Sequence, residues 1–187
     1  MAAIKGKDTK PEMIVRRFLW SRGIRYRINH PRLPGKPDVV LRKYRTCVFV
    51  NGCFWHGHYV HTLNDIDAIE NSECCKIPHT NREFWVKKIM RNKERDIEVQ
   101  KRLAEMGWHC ITIWECELST KQVSMKNADG SEEMISVRQQ TLERLAYTLN
   151  KIFLQNQGVV ITKDKGYKYA SPDDNSIGMA AEEEPIG

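Results

Sequence analysis

No apolar run in this 187-residue chain approaches the roughly 20 residues of a membrane-spanning helix, and no signal peptide opens it. A cytoplasmic protein is therefore expected. The chain has no Cys-x-x-Cys pair and no internal repeat. Its last fifteen residues carry Asp173, Asp174, Glu182, Glu183 and Glu184 but neither Lys nor Arg. With 30 Lys and Arg against 24 Asp and Glu, the net charge is +6, and the part that folds is more basic than the total. That balance suits a polyanionic partner, nucleic acid first.

What is present is concentrated in one place. Asn51-Gly52-Cys53-Phe54-Trp55-His56-Gly57-His58 packs a thiol, two imidazoles and two large rings into eight residues, directly after the apolar run Cys47-Val48-Phe49-Val50. The thiol and imidazoles can bind metal or move protons. The rings can form core, or a wedge that enters something flat.

Coarse periodicity frames this segment. Thr9-Lys10-Pro11-Glu12 reads as a capped helix start, with Ile14, Val15, Phe18 and Leu19 on one face and Gly23 as the stop. Ile24, Tyr26 and Ile28 alternate with Arg25 and Arg27, which predicts a strand. Pro31, Pro34, Gly35 and Pro37 force a loop. Asp38 to Leu41 and Cys47 to Val50 predict a buried hairpin. Thr80-Asn81-Arg82-Glu83 repeats the capping-box pattern and predicts a long helix to about Met106. Trp108 to Trp114 reads as a strand. Arg138 to about Gln155 reads as an amphipathic helix with Leu142, Leu145, Leu149, Ile152 and Phe153 inward. The order of elements implies an α/β fold with a mixed sheet. One domain is expected over residues 1–155, followed by a polar, acidic tail over 156–187 whose last residues are disordered.

Six cysteines in a reducing compartment point to metal before disulfides. Cys53, His58, one cysteine of the Cys74–Cys75 pair and Cys116 make a usual tetrahedral zinc set. Adjacent side chains point apart, so only one of the pair can serve. The sequence assignment is Cys75, with Cys74 and His61 as rivals. Cys47 and Cys110 fall inside strands and read as buried thiols.

Asp38 opens an apolar strand, where a carboxylate is costly unless paired, hydrogen-bonded or bound to a cation. It reads either as a cap on the proline-rich turn or as a Mg²⁺ ligand, with a backbone carbonyl near Val50 beside it. In the second case His56 can take the proton of an attacking water, which describes metal-assisted phosphodiester hydrolysis. Glu12 has the capping box as its plain role and can also point toward that site. His56 can equally be one more zinc ligand.

Taken together, these residues resemble the very-short-patch repair (Vsr) endonuclease family. The likeness starts at Met1 to Glu12 and continues through Leu33-Pro34-Gly35-Lys36-Pro37-Asp38 and Phe49 to His58. It resumes at Thr80 to Trp85, Asn92-Lys93-Glu94-Arg95-Asp96 and Gly107 to Cys116. It implies a restriction-endonuclease-like, three-layer α/β/α fold with a central mixed sheet and a structural zinc. It also implies a Mg²⁺-dependent nick in double-stranded DNA at a T:G mismatch, of the kind left by 5-methylcytosine deamination. On this resemblance Asp38 binds the Mg²⁺ with the Val50 carbonyl, His56 is the general base and Glu12 an auxiliary acid. Zn²⁺ falls on Cys53, His58, a cysteine of the 74–75 pair and Cys116. Phe54, Trp55 and Met1 intercalate. Some members carry His where this chain has Asn51, which can hydrogen-bond a water or phosphate but carries no proton at neutral pH.

The sequence as it stands begins at the wedge residue, so little N-terminal arm is expected. A monomer is expected, with mismatch-repair proteins as further partners. Lys5, Lys7, Arg25, Arg27, Lys36, Arg91 and Arg95 are candidate phosphate contacts. The alternatives are a nickase of the same fold with homing- or restriction-type specificity, and a non-catalytic zinc module that binds DNA.

Overall fold

The computed structural model describes residues 8–58, 74–126, 130–162 and 166–169. Helix α1, Lys10–Ser21, starts as its sequence dictates: Thr9 is extended, and its hydroxyl accepts the Glu12 backbone N–H at 3.4 Å. Its apolar face puts Val15 and Leu19 fully inside.

The predicted strand over residues 24–28 does not form. Arg27 makes a single antiparallel bridge with Val40, through bonds of 2.9 and 2.7 Å. Asn29, at φ 45°, then turns the chain away before Pro31. Pairing cannot propagate past a left-handed residue followed by a proline-rich stretch.

The hairpin is present. Strand β1, Val39–Leu41, pairs antiparallel with β2, Thr46–Asn51, through a 3₁₀ turn at Arg42–Tyr44 closed by left-handed Arg45. A four-residue helix α2, Cys53–His56, follows β2 directly. Helix α3, Arg82–Glu105, leads to β3, His109–Trp114, which runs parallel to β2 in register from Thr46–His109 to Asn51–Trp114. The sheet is thus mixed, with β2 in the middle. The capping box expected at Thr80 and Glu83 is absent. Asn81 stands at the helix start in a left-handed conformation, φ 55°, with no side-chain cap. Asn tolerates that conformation better than most residues, so the chain enters the helix by a turn rather than from an extended cap.

Both faces of the sheet are covered. Val39, Leu41, Val48 and Ile113 pack with Val15 and Leu19 of α1 and with Leu142, Leu145 and Leu149 of helix α4, Val137–Asn156. Val40, Cys47, Phe49 and Cys110 pack on the other side with Val99 and Leu103 of α3. The alternation follows from the two-residue period of a strand. Cys47 is a fully buried core thiol, pushed up to about 12 by burial, and Cys110 is half-buried against the same cluster.

Two strand pairs lie outside the sequence expectation. Strands β4, Gln122–Lys126, and β5, Glu132–Ser136, form an antiparallel pair. Strands β6, Val159–Thr162, and β7, Gly166–Tyr169, form another in the segment read as polar tail. Residues 180–187, expected to be disordered, lie outside the described residues. Among the described residues no helix is long and apolar enough to cross a membrane.

Candidate active site and metal centre

The C-terminal end of β2 and the start of β1 open on a cleft of about 690 Å³. Glu12 comes to it from α1, Asp38 from the head of β1, and Val50 and Asn51 from the end of β2. Trp55 and His56 come from α2, and Asp96 from α3. One loop, residues 30–37, forms a wall. Gly35 of that loop lies so close to α3 that an added Cβ would sit 2.4 Å from Val99 Cγ1, and its φ is 68°. Only glycine meets both demands, and it brings Lys36 to the rim of the cleft.

Asp38 is half-buried, and its Oδ2 accepts the Val50 N–H at 2.8 Å. Burial raises its pKa, and the neighbouring Glu12 charge raises it further. The Val50 N–H, Arg16 and His56 pull it down without cancelling the rise. A carboxylate held in this way is short of positive charge, which is the condition a divalent cation relieves.

Glu12 is 6% exposed, and both its oxygens are engaged. Oε1 accepts from the Thr9 hydroxyl at 2.9 Å. Oε2 accepts from Arg16 Nη2 at 2.7 Å and from the Asp8 N–H at 3.2 Å. The capping role is therefore real, and Glu12 also lines the cleft. Buried Arg16 is what allows two carboxylates to sit so near each other.

His56 meets a residue to which the sequence reading gave no role. Its Nδ1 lies 2.5 Å from Asp96 Oδ2. A carboxylate accepts, so Nδ1 carries the proton and Nε2 is left as the basic nitrogen. Asp96 shares a helical face with Asn92 and Gln100, at spacings of four. Asn92 Nδ2 donates to the Trp55 carbonyl at 2.8 Å and so fixes α2 from the same face. The signal was a polar stripe at i, i+4 and i+8 in a helix otherwise rich in charge. Asn51 is buried at the end of β2 and lines the cleft.

The two wedge residues part company. Phe54 packs into a small core with Cys53, Ile77, Ile89 and Trp85. Trp55 lines the cleft. Both rings sit edge-on to Trp85, at 5.3 and 6.0 Å, and Lys88 Nζ lies 5.4 Å from the Trp55 centroid. Among the sequence candidates for phosphate contact, Lys36 and Arg95 line the cleft. Arg25 instead stacks on Trp20 at 3.9 Å. Met1, Lys5, Lys7 and His61 lie outside the described residues.

On the far side of α2, Cys53, His58, Cys74 and Cys116 bring their ligand atoms within 4.8 Å of one another. His58 Nδ1 is 3.3 Å from both Cys74 Sγ and Cys116 Sγ. A tetrahedral zinc with ordinary bond lengths sets nitrogen–sulfur edges of about 3.5 Å, so the donors present fit such an ion. The His58 ring stacks on Trp114 at 4.2 Å and 15°, which fixes its plane. The sequence assignment of Cys75 is corrected: Cys74 joins the cluster. Cys75 is fully buried beside Ile77 and Ile89, and burial pushes its thiol up to about 11. Consecutive residues in extended chain face opposite ways, so the core takes one thiol and the cluster the other. Burial also raises Cys74 and Cys116, so thiolates in this cluster need a cation to offset their charge.

Comparison with known proteins bears on this geometry. The family described as DNA mismatch endonuclease Vsr matches residues 1–62. The chain is 46% identical over 125 residues to the type II nicking enzyme V.NmeAIP of Neisseria meningitidis serogroup A, covering 66% of this chain and 79% of that one. It is 37% identical over 122 residues to the DNA mismatch endonuclease Vsr of Escherichia coli K12, covering 65% and 70%. It is 37% identical over 119 residues to the type II nicking enzyme V.XorIIP of Xanthomonas oryzae, covering 64% and 79%. Identity at this level runs over more than two thirds of each relative's own length, so the chain belongs to the Vsr endonuclease family and is an endodeoxyribonuclease.

Proposed function

We propose that this endonuclease nicks one strand of duplex DNA at T:G mismatches, with Mg²⁺ at the Asp38 cleft and Zn²⁺ as a structural ion. The observation that carries the reading is the convergence of an electrostatically strained carboxylate, Asp38, and an oriented imidazole, His56, on one cleft. Packing on both faces of the mixed sheet supports a restriction-endonuclease-like, three-layer frame around it.

Asp38 and the Val50 backbone would hold the Mg²⁺, which when bound supplies Lewis-acid polarisation of the scissile phosphate. His56 accepts the proton of the attacking water at Nε2. Asp96 keeps the imidazole in that tautomer and stabilises the charge it gains. Asn51 can hydrogen-bond a water or a phosphate oxygen but not relay a proton. Trp55, at the cleft, enters between base steps. Unstacking costs a few kcal/mol, least at a mispair, and that difference gives mismatch preference a physical basis. Cys53, His58, Cys74 and Cys116 hold the Zn²⁺ and tie α2, the stretch before α3 and the end of β3 together behind the cleft.

A second reading has a specific observation in its favour. Two of the three relatives described carry type II nicking enzyme names. A nickase that reads sequence and not mismatch fits the same cleft. One gel assay separates the two. Labelled duplexes with T:G or T:A at one position, in several contexts, are incubated with Mg²⁺. Nicking of T:G alone, lost on chelation, supports the first reading. Equal nicking of T:A in one context sinks it in favour of the second.

A further inference from the structure

A second cavity, of about 250 Å³, is lined by Arg27, His30, Arg32, Arg42 and Trp108 beside the apolar floor of the sheet. Among the described residues, none of these three arginines has a carboxylate at ion-pair distance, whereas Arg16, Arg22, Arg102 and Arg144 are all paired. His30 Nδ1 is buried without a hydrogen-bond partner among the described residues. Buried polar nitrogens are seldom left so. Arg45 adds a further positive charge over the Trp108 ring at 5.1 Å, held there by the Met106 and Gly107 carbonyls. All three arginines are exposed at the rim of the cavity, so their guanidinium groups can meet an anion there without a large desolvation cost. The volume is below the roughly 300–1,000 Å³ of sites for whole small molecules. It suits one projecting group, and a phosphate matches the donors.

The cavity and the cleft share a loop. His30 and Arg32 line one, and Gly35 and Lys36 line the other. Arg32 and Lys36 are four positions apart, at most about 14 Å of extended chain. Duplex DNA carries a charge every ~1.7 Å of axis, so a duplex seated in the cleft has further phosphates within that reach. We propose that this basic cavity holds a backbone phosphate of the duplex flanking the cleaved position, through Arg32 and Arg42 with Arg27 and His30. Such a contact sets register and adds affinity without reading bases. The inference rests on DNA occupying the Asp38 cleft, and not on a T:G preference.

The test is a thermodynamic cycle on binding alone, without added divalent cation. Single phosphates along a 20-base-pair duplex are replaced by neutral methylphosphonates. Wild-type protein and R32A/R42A are titrated with each. At one or two flanking positions the neutral linkage weakens wild-type binding about tenfold, the scale of one charge-assisted hydrogen bond, and leaves R32A/R42A unaffected. The variant R32K/R42K, which keeps the charge, recovers part of the penalty. If every methylphosphonate penalty is the same in wild type and R32A/R42A, the inference fails, even if inorganic phosphate still binds the cavity. The cycle is run on T:G and T:A duplexes. Loss of the T:G preference with the cycle intact removes the mismatch reading and keeps the phosphate site.

Discussion

His56 Nδ1 and Asp96 Oδ2 lie 2.5 Å apart, across 40 residues of sequence and between two helices. Both side chains are mostly buried, at 24% and 20% exposure, so water competes weakly for the contact. In the proposed reaction Asp96 acts through His56, as a positioning residue.

Asp96→Asn should therefore lower the nicking rate by about 10² or more, at the lower end of what general-base catalysis contributes. Duplex affinity should stay within about threefold. The amide can donate as well as accept, so the imidazole loses its fixed tautomer, and the pH–rate profile should change shape. Single-turnover rates from pH 5.5 to 9 check this. An unchanged profile at reduced rate would leave Asp96 with a merely structural role.

How far this site was legible depends on how local each signal is. The Thr9 cap, the Pro37-Asp38 strand start and the inward leucines of α4 rest on neighbours within one or two turns, and they could be read from the chain. Asp96 could not, because its partner is on another element and its helix is charged on most sides. Cys74 and Cys75 differ only in which way the backbone turns them. The strand expected at residues 24–28 stops at one bridge because left-handed Asn29 and the prolines after it turn the chain away from β1. The pair β4 and β5 has a local signal in the sequence, Asp-Gly at 129–130 after the alternating run Gln122 to Lys126.

Asp38 offers a stability test. Burial and Glu12 raise its pKa in the fold above the unfolded value. The fold then binds that proton more tightly than the unfolded chain does. The contribution favours the fold below the ordinary carboxylate range and is lost as pH rises through the raised value. At pH 7, without divalent cation, Asp38→Asn should raise Tm by about 2–4 °C, the shift that ~1 kcal/mol produces at this size. The gain should vanish near pH 3, where both side chains are neutral. Millimolar Mg²⁺ should raise the wild-type Tm and leave Asp38→Asn unmoved. Scanning calorimetry with and without Mg²⁺ at both pH values checks each arm.

The cysteine pair gives a qualitative outcome. Cys74→Ala should lose bound zinc and lower Tm by about 10 °C, as loss of a structural ion does. Cys75→Ala should keep its zinc and lose only a buried sulfur's worth of packing. Burial raises the Cys74 and Cys116 thiols above their ordinary value, so uptake releases protons and affinity should fall continuously from pH 8 to pH 6. Metal content by atomic emission, with titrations at pH 6 and 8, decides. Zinc retained by Cys74→Ala and lost by Cys75→Ala would restore the sequence assignment.

Phe54 and Trp55 are adjacent, yet their environments predict different losses. Phe54 is half-buried against Ile77, Ile89 and Trp85, so Phe54→Ala should cost about 2 kcal/mol of stability, less than the ~3–5 of a fully enclosed ring. Trp55 lines the cleft, where Lys88 over its ring is a contact that solvent can replace. Trp55 is half-buried and meets Phe54 and Trp85 edge-on, so Trp55→Ala should cost about 1–3 kcal/mol of stability, the worth of two such ring contacts. It should also reduce discrimination between T:G and T:A duplexes about tenfold or more, the worth of one stacked ring. Urea unfolding of each variant gives the first quantity, and competitive nicking of the two duplexes gives the second. Should Trp55→Ala unfold the protein and Phe54→Ala abolish discrimination, the ring at the cleft is core, and its neighbour is the wedge.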